Sequence, residues 1–132
     1  AVSNFELDDL ATFADVLGHA PAANQVEYHP LFQPADLLDH AREHDYPLVA
    51  YSPLSGGEVD SVDAVVEVAD RHGITPEQAS LAWLLAKGVH PIPKASSREH
   101  LEANAAALDV ELTDEDVAAI DAVEREHELY PE

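Results

Sequence analysis

Pro21-Ala22-Ala23-Asn24-Gln25-Val26-Glu27-Tyr28-His29-Pro30 passes from small apolar residues into a cluster of hydrogen-bonding side chains, and helix-like sequence follows it. Two later stretches repeat the rhythm: Pro47-Leu48-Val49-Ala50-Tyr51-Ser52-Pro53-Leu54 and Val89-His90-Pro91-Ile92-Pro93-Lys94-Ala95-Ser96. Strands joined by helices run parallel, so the polar residues at their C-terminal ends gather along one edge. The reading is α/β, with reactive groups directed into one shared site as in a (β/α) barrel. Three strands and a stub cannot close such a barrel, which takes about 250 residues.

Outward from these stretches, the helical segments announce themselves by apolar spacing and by their ends. Ala1-Val2-Ser3-Asn4-Phe5 reads as the last residues of a further strand, and Leu7, Leu10, Ala11, Ala14 and Leu17 recur at helical spacing before Gly18. Ser3 and Asn4 are candidate caps for that helix. Pro34 opens a helix carrying Leu37, Leu38 and Ala41, and a third helix holding Val62, Val65, Val66 and Val68 stops near Gly73. Thr75-Pro76-Glu77-Gln78 has the form of a capping box with proline at the first helical position. Residues 97–108 read as another helix, and Thr113 caps a last one with Val117, Ile120 and Val123.

Charge narrows the class of partner. The 132 residues hold 27 acidic against 6 basic side chains, a net charge of −21. Nucleic acid and anionic membrane surfaces are poor partners for such a chain. The acidic residues are spread over every helix rather than gathered in a tail, which reads as the coat of a halophilic cytoplasmic protein hydrated in concentrated salt. Lys87 and Lys94 are the only lysines, so a lysine at a strand end invites a functional role. The absence of cysteine excludes disulfides and thiolate chemistry, and no apolar run has the length of a membrane helix. The chain opens on Ala1 and contains no methionine, and a fragment or processed product is expected.

Taken in order, Ser3-Asn4-Phe5, Asn24-Gln25-Val26-Glu27-Tyr28-His29-Pro30, Ala50-Tyr51-Ser52-Pro53-Leu54 and Pro91-Ile92-Pro93-Lys94 resemble the C-terminal half of an aldo-keto reductase. These are NADPH-dependent carbonyl reductases built on a (β/α)8, or TIM, barrel. The resemblance covers essentially all of residues 1–132. It implies a single domain, a partial TIM barrel of three to four parallel strands with outer helices. It also implies roles. Ser3, Asn4 and Gln25 would hydrogen-bond the nicotinamide carboxamide, and Tyr51 would stack beneath the nicotinamide ring. Ser52 and Leu54 would line the pyrophosphate path. Lys94, followed by Ala95 and Ser96, would meet the 2′-phosphate, with His100 and Asn104 towards the adenine end. The chain has no G-x-G-x-x-G, in keeping with a barrel-type nicotinamide site.

Three departures leave the choice between NADPH and NADH open. Ala95 replaces the serine usual after the lysine, His100 stands where an arginine commonly grips the phosphate, and Ala103 replaces a frequent glutamate. The family's catalytic tyrosine, lysine, aspartate and histidine belong to the first half of the barrel, so no residue here is assigned a catalytic role. The isolated chain is expected to bind cofactor without reducing a carbonyl substrate. Open sheet edges also suggest a non-enzymatic association module, pairing with a second copy or a separate N-terminal half.

Other patterns are weaker. His40-Ala41-Arg42-Glu43-His44 spells H-x-x-E-H, a zinc-peptidase pattern, yet it lacks a third ligand and reads as an ordinary helix face, so no metal is assigned. His29 with Ser3 composes a triad only on paper, since no nucleophile-elbow sequence accompanies it. The salt reading is checked by thermal unfolding followed by circular dichroism. The transition should rise steeply from dilute buffer to molar KCl, and an equally stable fold in both would remove the halophilic assignment.

Overall fold

The computed structural model describes residues 1–131. Four parallel strands, β1 (Val2–Ser3), β2 (Asn24–Glu27), β3 (Leu48–Tyr51) and β4 (His90–Pro91), form one sheet in the order β1-β2-β3-β4. Six α-helices accompany them: α1 (Leu7–Leu17), α2 (Ala35–Glu43), α3 (Asp63–His72), α4 (Pro76–Ala86), α5 (Arg98–Ala106) and α6 (Asp114–Asp121). The middle pair sets the register, with Asn24, Gln25, Val26 and Glu27 opposite Leu48, Val49, Ala50 and Tyr51.

That register sorts the side chains by face, because successive residues of a strand point to opposite sides. Asn24, Val26, Leu48 and Ala50 lie on one face and are buried. They join a core of helix residues that includes Leu10, Leu37, Leu38, Val65, Val68, Trp83 and Leu84. Gln25, Val49 and Tyr51 fall on the opposite face and are only half-buried. On that face Glu27 is an exception, with 3% of its surface exposed.

Local signals produced most helix ends. Gly18 and Gly73 terminate α1 and α3 with φ of 77° and 64°, a region open to glycine at little cost. Thr75 Oγ1 accepts from the Gln78 amide at 3.1 Å while the Gln78 side chain accepts from the Thr75 amide at 3.1 Å, completing the box that starts α4. Thr113 and Asp116 do the same for α6. The expected cap by Ser3 and Asn4 is not made. The cap of α1 is Glu6, three residues after β1 ends, whose amide donates to Asp9 Oδ2 at 3.0 Å. The helix expected over 97–108 is α5 followed by a 3-10 turn, Ala107–Asp109.

β4 is short, and its prolines are placed where they cost the sheet no hydrogen bond. The Ile92 amide donates to the Ala50 carbonyl at 3.0 Å. Residue 92 therefore faces β3, and Pro91 and Pro93 face the open side of the sheet, where their ring nitrogens carry no hydrogen.

Two aspartates bind the last helix to the rest. The Trp83 indole N–H donates to Asp121 Oδ1 at 2.9 Å, and Lys87 Nζ reaches the same oxygen at 2.8 Å. Asp116, 3% exposed, accepts from Arg71 and from His72, each at 2.6 Å, besides the Thr113 amide. The His72 hydrogen bond, opposed by burial and reinforced by Thr113 and Arg71, holds the Asp116 carboxyl well below the usual carboxylate range. A depressed folded value means the contribution is complete above the unfolded pKa of about 4 and is lost as pH falls through the lower folded value. Asp116→Asn should lower stability at neutral pH by roughly 2 kcal/mol. It should also flatten the acid limb below about pH 4, measured by urea unfolding across pH at constant high salt.

Candidate functional site

Because the strands are parallel, their C-terminal ends lie along one edge, and a network of side chains fixes what stands there. Asn24, fully buried, donates through Nδ2 to the Phe5 carbonyl at 3.0 Å and accepts from the Phe5 amide at 3.4 Å. The Asn4 amide continues the β1–β2 ladder past the end of β1 by donating to the Gln25 carbonyl at 2.8 Å, and the Asn24 side chain holds the turn that contains Asn4. Asn4 has φ of 57°, a left-handed conformation that asparagine accepts more readily than most residues. In that pose its Oδ1 accepts from the Tyr51 hydroxyl at 3.0 Å. Ser3 Oγ donates to the Gln25 carbonyl at 3.3 Å. Ser3, Asn4, Gln25 and Tyr51 are thus gathered on three neighbouring strand ends.

The loop after β3 is tightly wound. Ser52, Ser55, Gly56 and Gly57 all have positive φ, at 51°, 54°, 62° and 94°. The Ser55 amide donates to the Ser52 carbonyl at 3.0 Å and the Gly57 amide to the Leu54 carbonyl at 2.9 Å, so these two donors are consumed within the loop. Buried Ser80 anchors it by donating to the Pro53 carbonyl at 2.7 Å, and Leu54 packs on the core. The Ser55 hydroxyl is buried without a hydrogen-bond partner.

Lys94, Ala95 and Ser96 follow β4 at the same edge of the sheet, with Lys94 and Ser96 exposed and Ala95 half-buried. They lead into α5, where Ser97 Oγ accepts from the His100 amide at 3.2 Å. Asn104 lies one turn beyond His100 on the same helix face, and Gln78 Nε2 ties this helix to α4 through the Ala103 carbonyl at 3.0 Å. No residue of α5 is buried. The predicted residues therefore form two groups. The first is knitted by side-chain hydrogen bonds at the ends of β1–β3; the second is an exposed loop and helix start beyond β4.

A third group did not figure among the predicted site residues. A cavity of about 730 Å³ opens at this edge, with Asn4, Glu27, Phe32, Tyr51, Arg125 and Tyr130 among its lining. Glu27 Oε1 accepts from His29 Nε2 at 2.8 Å and from the Leu129 amide at 2.6 Å, and its Oε2 accepts from the Tyr130 amide at 3.1 Å. His29 Nδ1 accepts from the Leu31 amide at 3.2 Å, which places the ring proton on Nε2. Burial pushes the His29 pKa down, against the opposing pull of Glu27, so the imidazole is neutral. The Tyr130 ring meets the Tyr51 ring at 5.8 Å between centroids and 65° between planes. The tail segment is pinned further back as well. The His127 amide donates to the Leu31 carbonyl at 2.8 Å, and Glu58 pairs with His127 at 2.8 Å and with Arg125 at 3.6 Å. Glu27 and His29 were visible as polar residues ending a strand; nothing in the sequence of the tail announced that it returns to them.

His40 and His44, the histidines of the zinc-like pattern, stack with ring centroids 4.1 Å apart, and His40 Nδ1 meets the Tyr46 hydroxyl at 2.7 Å. They lie on α2 and its C-cap, apart from the strand-end residues. Among the described residues no group of three or more potential ligands is arranged to hold a metal ion, and no helix is long and apolar enough to cross a membrane.

Chemically, the strand ends combine a half-buried aromatic ring, an asparagine carboxamide, a serine hydroxyl and a glutamine. The set suits a flat ring bearing both donors and acceptors. Comparison with known proteins shows the family. The profile described as "Aldo/keto reductase family" matches residues 1–125. A protein of Mycobacterium sp. (strain JLS) called aldo-keto reductase is 35% identical over 131 residues, covering 99% of this chain and 48% of its own length. The chain thus spans about half the length of the curated relatives it matches. The crystal structure of MGS-M4, an aldo-keto reductase from a Medee basin deep-sea metagenome library, superposes with a TM-score of 0.94 at 28% identity. It covers all of this chain and 50% of that one. A Gox0644 variant in complex with NADPH superposes with a TM-score of 0.86 at 31% identity, covering 95% of this chain and 45% of that one. The four-stranded sheet with its helices is accordingly a partial barrel, and on the extent of the profile match this chain belongs to the aldo/keto reductase family.

Proposed function

We propose that this chain carries the nicotinamide-dinucleotide half of an aldo/keto reductase that reduces small aldehydes or ketones to alcohols. The carrying observation is the Tyr51–Asn4 hydrogen bond at 3.0 Å, which ties the aromatic ring to a carboxamide on the neighbouring strand ends where Ser3 and Gln25 also stand. NADPH is the cofactor proposed, since a solved relative holds it, and NADH is the alternative left by Ala95, His100 and Ala103. When bound, the dihydronicotinamide supplies hydride to a carbonyl carbon while an acid outside this chain gives a proton to the carbonyl oxygen.

The chain's own residues bind and orient. Ser3, Asn4 and Gln25 hold the carboxamide, and the face of Tyr51 supports the ring, leaving its other face to the substrate. Ser52 and Leu54 line the path of the pyrophosphate. Lys94, Ala95 and Ser96 receive the ribose phosphate, and His100 and Asn104 the adenine. No proton-transfer group of the family pattern lies in residues 1–132, so the chain alone binds without turnover. The setting is the cytoplasm of a salt-adapted cell.

A second reading is association. β1 and β4 are the edges of the sheet, and the face bearing Gln25 and Val49 is only half-covered. Pairing with a second copy or with an N-terminal half-barrel would cover both.

Fluorescence titration in molar KCl separates these claims. NADPH should bind, and Lys94→Ala should weaken it about tenfold, the equivalent of roughly 1.4 kcal/mol, while leaving NADH unchanged. Equal affinity of the wild-type chain for both cofactors would remove Lys94 from the phosphate. Oxidation of NADPH by the purified chain with an aldehyde would overturn the non-catalytic assignment. Light scattering in the same buffer tests association, for which a monomer at all concentrations would be the contrary result.

A further inference from the structure

The cavity at the strand ends is partly filled from within the chain. Residues 123–131 leave α6 and return across the face that carries Tyr51. Two anchors hold this segment, and each touches an element of the proposed cofactor path. The first is Glu27, whose two carboxylate oxygens take the consecutive amides of Leu129 and Tyr130 at 2.6 and 3.1 Å. The second is the loop after β3. Its Glu58 pairs with His127 and Arg125, its Ser61 accepts from Arg125 at 3.1 Å, and Leu129 Cδ1 comes within 3.3 Å of the position a Cβ on Gly56 would take. Between the anchors the Tyr130 ring lies against Tyr51, though Tyr130 itself is 59% exposed.

We infer that Glu27 is a positioning residue, the latch of a C-terminal strap whose Tyr130 competes with the nicotinamide ring for Tyr51. The inference rests on the cofactor assignment above. The Tyr130 ring stands edge-on to Tyr51, 5.8 Å between centroids and 65° between planes, and a second ring stacked on the side of Tyr51 that Tyr130 occupies would displace it. The latch is well suited to hold and release. Glu27 is buried, one bond comes from the neutral His29 ring, and the two tail amides supply the others. Withdrawing the strap breaks two charge-assisted hydrogen bonds, and water or a cofactor amide can replace them. The affinity seen from solution is then the intrinsic affinity reduced by the fraction of molecules with the strap open.

Three variants test this in the full chain at molar KCl. Glu27→Gln keeps the shape and the acceptor for His29 but replaces one carboxylate oxygen with a donor, so one tail amide loses its partner. Tyr130→Ala removes the competing ring and leaves the latch, while Tyr130→Phe keeps the ring. Amide hydrogen exchange is read first, without cofactor. Leu129 and Tyr130 should be protected in the wild type and lose that protection in Glu27→Gln. The Kd for NADPH should then fall roughly five- to tenfold in Glu27→Gln and Tyr130→Ala and stay unchanged in Tyr130→Phe. Equal exchange in wild type and Glu27→Gln overturns the latch. Equal Kd in all four proteins overturns the competition while leaving the cofactor assignment standing. Tail protection that follows the latch, with no NADPH bound by any of the four, sinks the cofactor assignment and the competition together and leaves Glu27 as a purely structural clasp.

Discussion

Parallel pairing of β2 with β3 is the constraint from which the rest follows. Four residue pairs are in register there, and a slip of one position would turn Val26, Leu48 and Ala50 away from the helices. With the register fixed, Gln25, Glu27 and Tyr51 share the less covered face, and Tyr51 comes to the strand end beside Asn4. Burial on one face of the sheet thus determines chemistry on the other. Asn24 shows the link in a single residue: from the buried face its side-chain amide clasps the Phe5 backbone, and those bonds shape the turn holding Asn4.

The sequence was informative where the determinants were local. Thr75 and Gln78 are three residues apart, Gly18 and Gly73 act on the turns that precede them, and the ends of β2 and β3 were marked by a change from apolar to polar side chains. The family resemblance added roles to residues whose gathering at one edge then followed from the topology. Capping by Ser3 and Asn4 was misjudged because a left-handed residue at position 4 carries the chain past the point where either could face the first helical amides. The prolines of β4 are tolerated because they face away from β3, and which side a proline faces is set by register rather than by local sequence.

What could not be read were contacts between residues remote in the chain. Asp116 meets His72 and Arg71 at separations of 44 and 45 residues, and Glu27 meets the tail at 102 and 103. No periodicity encodes such pairs. A buried carboxylate is nevertheless a signal of its own, since charge is costly to bury unless met by hydrogen-bond donors. Glu27 and Asp116 are the two acidic residues that are buried among the described ones, and each proved to join separate parts of the chain.

The prolines of β4 have a consequence for behaviour in a crowded solution. A strand with amides free on its outer side is a template, and a neighbouring molecule can add to it indefinitely. Here the outward positions 91 and 93 offer carbonyl oxygens and no hydrogens, so a newcomer finds only half of the complementary ladder. Such a rim discourages runaway fibril growth even when the chain is concentrated, and it does so without drawing on the repulsion between carboxylates that strong brine would screen away.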